Sequence, residues 1–142
     1  MRASALFALT LLSSIHLAFA HTEAKPQEVV LWLQEAAMIS EDISVRFVGF
    51  VDERCPSDRR CAQQGEVIAW LELAPAVGPR RSVTLQSPPG IDSRLAGTAF
   101  GFRFCFVGLN PRPHTQRNVN PAAHLIRFVM APERKLTKCT GS

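Results

Sequence analysis

Apolar and polar residues alternate in several short segments of this chain, and proline and glycine separate these segments. Alternation runs through residues 43–47, beyond which both faces turn apolar, and it returns through residues 67–73. A period of two is typical of a strand with one buried face. We therefore predict strands at residues 43–51 and 67–73, joined as a hairpin-like unit by the segment between them.

Four further segments have strand-like composition. They are residues 28–33, 81–86, 100–107 and 124–130. In the third of these, Phe100, Phe102, Phe104 and Phe106 share one face, which favours a hydrophobic floor over a ligand platform. Residues 33–38 have helix-forming composition and are open to a turn of helix. Residues 91–98 are assigned to a loop, and residues 110–121 form a long loop stiffened by prolines.

About six short strands without a sustained helical period predict an all-β fold. We expect a small antiparallel β-sandwich or barrel, Ig-like in size, with two disulfides. The chain has 142 residues and no internal repeat or linker. Residues 21–142 are expected to form one domain, which fits a single modest core.

The amino terminus resembles a secretory signal peptide. Arg2 precedes an apolar run, and Ala18-Phe-Ala20 places small residues before the expected cut. Residues 1–20 are too short and too weakly flanked for a membrane anchor. The residue after the cut is His21 rather than cysteine, so no lipid anchor is indicated. We expect export to the periplasm or the outside of a bacterial cell.

The charge is mildly positive. The full chain carries a formal charge of +4, and removal of Arg2 with the signal peptide leaves +3. The arginines are scattered among acids and no array of stacking aromatics is present, so nucleic-acid binding is not expected.

Four cysteines, Cys55, Cys61, Cys105 and Cys139, all follow the predicted cut. An even number in an oxidising compartment favours full pairing, and four cysteines allow three connectivities. We pair Cys55 with Cys61 because they are close and share one loop. This choice leaves Cys105 to pair with Cys139.

The cysteine loop resembles that of a set of bacterial secreted proteins and lipoproteins of unknown function. Their mark is an apolar strand, Asp-Ser-Arg-Cys-Pro, a few residues, and Cys-Val-Trp-Ala-Gly before another strand. This chain has Asp52-Glu-Arg-Cys-Pro56 and Cys61-Ala-Gln-Gln-Gly65, so Glu53, Ala62 and Gln63 depart from the pattern. The resemblance supports the β fold and the first disulfide, and it implies no activity.

No catalytic motif is visible. The sequence lacks a Gly-x-Ser-x-Gly elbow, a His-Glu-x-x-His pair and a glycine-rich phosphate loop, and no cofactor is implied. We expect a non-catalytic binding protein whose partner is a protein or a small molecule. The candidate binding loop contains Asp52, Arg54, Arg59 and Arg60.

The same loop has three alternative uses. Asp52, Glu53 and Asp58 together are a possible calcium site or acid–base pair, although pairing of Asp52 with Arg54 is the simpler expectation. The arginines suit a trypsin-like specificity pocket, so serine protease inhibition is an alternative function. Switchable thiol chemistry is disfavoured because Cys55 and Cys61 do not form a Cys-x-x-Cys motif.

Copper binding is a further alternative. A mature amino-terminal His21 would offer its α-amine and imidazole to Cu(II), and His114 or His124 would complete the site. The simpler interpretation is that cleavage leaves a histidine on a frayed terminus.

Overall fold

The computed structural model describes residues 25–87, 97–136 and 139. Within them the chain forms eight β-strands and one short 3-10 helix, Pro121–Ala123. The strands are β1 Gln27–Trp32, β2 Ala36–Met38, β3 Ile43–Asp52, β4 Val67–Pro75, β5 Arg81–Ser87, β6 Gly97–Ala99, β7 Phe102–Asn110 and β8 Leu125–Pro132. The six predicted strands are thus present with small shifts at their ends, and β2 and β6 are additional.

Two antiparallel four-stranded sheets face one another. Their strand orders are β1-β8-β7-β6 and β2-β3-β4-β5. Alternate residues of both sheets point inward, and Phe47 and Leu71 of one sheet and Phe104 and Phe128 of the other are fully buried. The predicted antiparallel β-sandwich is therefore confirmed, with the core between the sheets.

The turn of helix considered for residues 33–38 is wrong. Gln34 has a positive φ of 72°, which ends β1, and the chain then crosses to the other sheet. Gln34 N donates to Phe47 O at 2.7 Å, and Phe47 N donates to Glu35 O at 3.1 Å. So short a segment does not sustain a helix by itself, and pairing with β3 satisfies its backbone instead.

The loop expected for residues 91–98 is wrong at its end. Residues 88–96 lie outside the described residues, but Gly97 and Thr98 belong to β6 and pair with β7. Phe100 and Gly101 form the two-residue turn between these strands, with φ of 52° and 75°. Positive φ at both central residues matches the twist of a tight hairpin. Phe100 therefore leaves the predicted row of phenylalanines.

The other three phenylalanines of that row face inward. Phe104 is fully buried, and Phe102 and Phe106 are partly buried against the core. Phe104 and Phe128 lie on neighbouring strands with ring centroids 6.0 Å apart. These residues form the expected hydrophobic floor.

Both predicted disulfides are present. Cys55 and Cys61 have Cα atoms 5.8 Å apart, and Cys105 and Cys139 have Cα atoms 5.4 Å apart. Cys105 lies on β7 beside Val129 of β8, so the second bridge ties Cys139 to the middle of a sheet. Among the described residues, no helix has the length and apolar character of a membrane span.

Candidate functional site

The cysteine loop, residues 52–65, extends from the hairpin formed by β3 and β4. Glu53 N donates to Glu66 O at 2.9 Å, and Cys55 N donates to Gln64 O at 2.8 Å. These bonds continue the strand pairing beyond the ends of the strands. The loop is therefore anchored at its base by backbone hydrogen bonds and at Cys55–Cys61 by the disulfide.

Gly65 is required at the base of this loop. Its φ is 66°, and a Cβ atom there would lie 1.9 Å from Glu53 O. A residue with a side chain would meet both backbone strain and a direct clash. The close approach of the two loop arms therefore explains why the cysteine-loop pattern has glycine at this position.

The proline loop, residues 110–121, leaves β7 at the same end of the sandwich. The peptide bond between Asn110 and Pro111 is cis. His114 forms an isolated bridge with Arg117, and the 3-10 helix follows before β8. In that helix Asn120 Oδ1 accepts a hydrogen bond from Ala122 N at 3.0 Å, which caps its first turn.

The structure brings the cysteine loop and the proline loop together. Ser57 N donates to Pro113 O at 2.9 Å, and Ser57 Oγ donates to the same oxygen at 3.3 Å. Thr115 N donates to Asp58 Oδ1 at 3.0 Å, and Thr115 Oγ1 donates to Asp58 Oδ2. We call the two connected segments, residues 52–65 and 110–117, the joined loops.

Asp52 and Arg54 form the ion pair expected from the sequence. Arg54 Nε and Nη2 donate to the two carboxylate oxygens at 2.7 and 2.6 Å. The Asp52 side chain is 7% exposed, and its Oδ1 also accepts from Arg54 N. Arg54 Nη2 reaches Pro111 O at 3.3 Å, so this pair also fastens the proline loop. Two-point pairing of this kind fixes geometry as well as charge.

Hydrogen bonds lower the pKa of Asp58 below its ordinary value of 3.8. The largest cause is the Thr115 hydroxyl, followed by the Thr115 amide, because both donate to the charged form of the carboxylate. His114 Nδ1 lies 3.6 Å from Asp58 Oδ2 and contributes least. In a neutral imidazole this nitrogen accepts from Gln116 N at 3.2 Å, so the attraction to Asp58 belongs to the protonated ring only.

Four arginines of the joined loops are exposed. They are Arg59, Arg60, Arg112 and Arg117. None of them forms an ion pair with another of the described residues. Arg59 and Arg60 were predicted from the sequence to belong to the binding loop, whereas Arg112 and Arg117 were not. The sequence does contain a signal for Arg112 and Arg117, because residues 110–121 contain arginines and a histidine but no acid.

The three acids considered for a metal site have separate environments. Asp52 is held by Arg54, Asp58 is held by Thr115, and Glu53 is exposed. Within residues 25–87, 97–136 and 139, no group of three or more histidine, cysteine, aspartate or glutamate side chains is arranged to hold a metal ion.

The histidines also have different surroundings. His124 is buried, its ring lies 4.5 Å from that of Phe50, and its Nδ1 is 3.0 Å from Pro121 O. His114 contacts Asp58 instead. His21 lies outside the described residues, so the copper site stays a prediction.

A shallow open depression of about 540 Å³ lies at the other end of the first sheet. Gly101, Pro132, Glu133 and Arg134 line it. Its position beside the turn between β6 and β7 is remote from Asn110, where β7 enters the joined loops. None of the predicted site residues borders it.

Comparison with protein-family models, with curated proteins and with solved structures found no match for this chain. The resemblance of the cysteine loop to a bacterial secreted family therefore stays a prediction. The chain is a disulfide-bonded antiparallel β-sandwich on the basis of its own topology.

Proposed function

We propose that this protein is a non-catalytic binding protein that contacts its partner through the joined loops. In this proposal residues 1–20 direct export, and the remaining domain acts in the periplasm or outside a bacterial cell. The disulfides fit an oxidising compartment, where such bonds persist.

The observation that carries the proposal is the network between the two loops. Ser57, Asp58 and Arg54 of the cysteine loop all bond to the proline loop. A pre-ordered loop loses less conformational entropy on binding than a flexible loop does. The loops therefore lose this conformational entropy during folding rather than on binding. The exposed side chains are already attached to an ordered backbone when a partner binds.

The test is a pull-down with an Arg59→Ala, Arg60→Ala variant. Both residues are exposed, so the free energy of unfolding should stay within about 0.5 kcal/mol of the wild type. Capture of a partner from the protein's natural surroundings should fall, because interface arginines combine directed hydrogen bonds with stem packing. The control is Arg46→Ala on β3, since Arg46 is exposed but lies outside the joined loops. Capture that is unchanged by the double replacement argues against a role for these arginines.

Serine protease inhibition is the second candidate, because Arg59 and Arg60 are exposed on a disulfide-closed loop. The local backbone of the cysteine loop favours general protein binding over protease inhibition. Arg59 N donates to Pro56 O at 3.1 Å, so the segment before Arg59 is a turn rather than an extended strand. Mixing the protein with trypsin separates the two. Stoichiometric loss of trypsin activity would favour inhibition.

A further inference from the structure

The arginines of the described residues differ in whether they form ion pairs. On the sheets and their ends, Arg80 pairs with Glu72 at 2.8 Å, and Arg127 pairs with Glu28 at 2.6 Å. Arg103 lies 3.6 Å from Glu133. Four arginines on the joined loops have no acidic partner within the part of the chain that the structure describes, and the same holds for Arg46, Arg81 and Arg134 outside these loops.

The acids of the joined loops offset only part of this charge. Asp52 is occupied by Arg54, and Asp58 accepts two hydrogen bonds from Thr115. Glu53 is the remaining carboxylate of residues 52–65, and residues 110–117 have none. With Asp52 paired to Arg54, four arginines remain against two acids, so the two segments together keep a net positive charge.

The network between the loops brings the segment that carries Arg59 close to the segment that carries Arg112. Arg59 follows Asp58 directly, and Arg112 lies between the two prolines whose carbonyls accept the cross-loop bonds. Adjacent Cα atoms are about 3.8 Å apart. Each of these arginines is therefore attached next to a point where the loops are fastened together.

We infer that the partner of the joined loops is an acidic protein segment, whose carboxylates pair with arginines of both loops. This inference rests on the proposed function and names the class of partner. The positive residues of both loops are all arginine, with no lysine. The planar guanidinium matches a carboxylate at two points, whereas an ammonium acts as a point charge.

The composition of the surface favours a protein over a polyanion. A polyphosphate chain or nucleic acid binds through summed positive charge, typically on a continuous basic stripe. Here Glu53 and Asp58 interrupt the arginines, and prolines flank Arg112 on both sides. Val51, which directly precedes the cysteine loop in sequence, is an apolar residue that is 43% exposed. Arginine is enriched in protein interfaces relative to the rest of the protein surface.

The experiment uses a displayed library of random linear peptides as the probe, selected on the full mature protein. Peptides should be enriched in aspartate and glutamate, and selection on an Arg59→Gln, Arg112→Gln variant should lose that enrichment. A selected peptide should bind by fluorescence anisotropy, and its version with glutamine for glutamate should not. Each single arginine replacement should weaken binding about tenfold, which corresponds to about 1.4 kcal/mol. Arg112→Lys should also weaken binding, and Arg46→Gln should leave it unchanged.

Three results would overturn the inference. The first is a selection without acidic enrichment, and the second is equal loss of binding in Arg46→Gln. The third is tighter binding of inorganic polyphosphate than of every selected peptide. If any of these occurs while pull-down of the natural partner still depends on Arg59 and Arg60, binding through the joined loops stands and only the acidic partner is wrong. If capture in the pull-down is also independent of Arg59 and Arg60, both the acidic partner and binding through the joined loops are wrong.

Discussion

At the scale of single residues, two glycines with similar backbone angles have different surroundings. Gly65 has a φ of 66° and faces Glu53 O, which a Cβ would approach to 1.9 Å. Gly101 has a φ of 75°, and a Cβ there would meet nothing within 4 Å. The pair therefore separates the effect of backbone strain from that of a steric clash.

We expect Gly65→Ala to destabilise the domain more than Gly101→Ala does. Left-handed backbone costs about 1–2 kcal/mol for a residue with a side chain, and both variants incur this loss. Gly65→Ala must also move the backbone at Glu53, so its loss should exceed that of Gly101→Ala by at least about 1 kcal/mol. Urea unfolding of the two variants measures the difference. Equal losses of unfolding free energy in the two variants would mean that the arms of the cysteine loop can move apart without a loss of stability.

Phe104 is a core position at which we expect a large effect. Its side chain is fully buried between the sheets and lies beside Phe128. Phe104→Ala should lower the free energy of unfolding by about 3–5 kcal/mol, because it removes buried surface and leaves a cavity. Val107→Ala, on the same strand but 42% exposed, should have little effect. Wild-type-like thermal melting of Phe104→Ala would contradict the core assignment.

At the scale of the strands, irregular pairing explains a pattern that simple alternation does not. The register of β3 shifts between Phe47 and Gly49, and that of β7 shifts between Phe106 and Gly108. Each shift inserts an extra residue, after which inward and outward positions exchange. Both faces of the sequence turn apolar beyond Phe47, and the bulge there is the physical reason. These two bulged strands are the ones that lead into the joined loops.

The contacts between the joined loops could not be predicted from the sequence, for a different reason. Alternation identified the strands, and proximity identified Cys55–Cys61, because both are local signals. Asp58 and Thr115 are 57 positions apart, and neither belongs to a periodic segment. Their meeting depends on the packing of the two sheets, which brings the ends of β3 and β7 together. The exposure of single arginines could be expected from the sequence, whereas the proximity of the two segments that carry them could not.

The bond between Asp58 and Thr115 should weaken in acid. Because hydrogen bonds to the carboxylate hold the pKa of Asp58 below 3.8, its contribution to loop joining is complete above pH 3.8 and is lost as the pH falls through the lowered value. The Thr115 amide resonance should therefore titrate with a midpoint below pH 3.8 in NMR spectra. Asp58→Asn should abolish this titration and also weaken partner binding. A midpoint at or above 3.8 would contradict the proposed hydrogen bonding.

At the scale of the whole molecule, the two disulfides have different roles. Cys55–Cys61 closes a separation of 6 residues within one loop, whereas Cys105–Cys139 closes a separation of 34 residues and holds the chain end against β7. Loop-closure entropy in the unfolded chain grows with the length of the closed segment. The longer bridge should therefore govern global stability, and the shorter bridge should govern the shape of the binding surface.

Paired cysteine-to-alanine variants test this division. Removal of Cys105–Cys139 should lower the free energy of unfolding by about 4 kcal/mol, and removal of Cys55–Cys61 should lower it by about 2 kcal/mol. Partner binding should show the opposite order when measured on protein that is still folded, because the shorter bridge holds the segment that carries Arg59, Arg60 and Asp58. Urea unfolding gives the first comparison and anisotropy with an acidic peptide gives the second. If the variant without Cys55–Cys61 bound as tightly as the wild type, the cross-loop hydrogen bonds alone would be sufficient to order the surface.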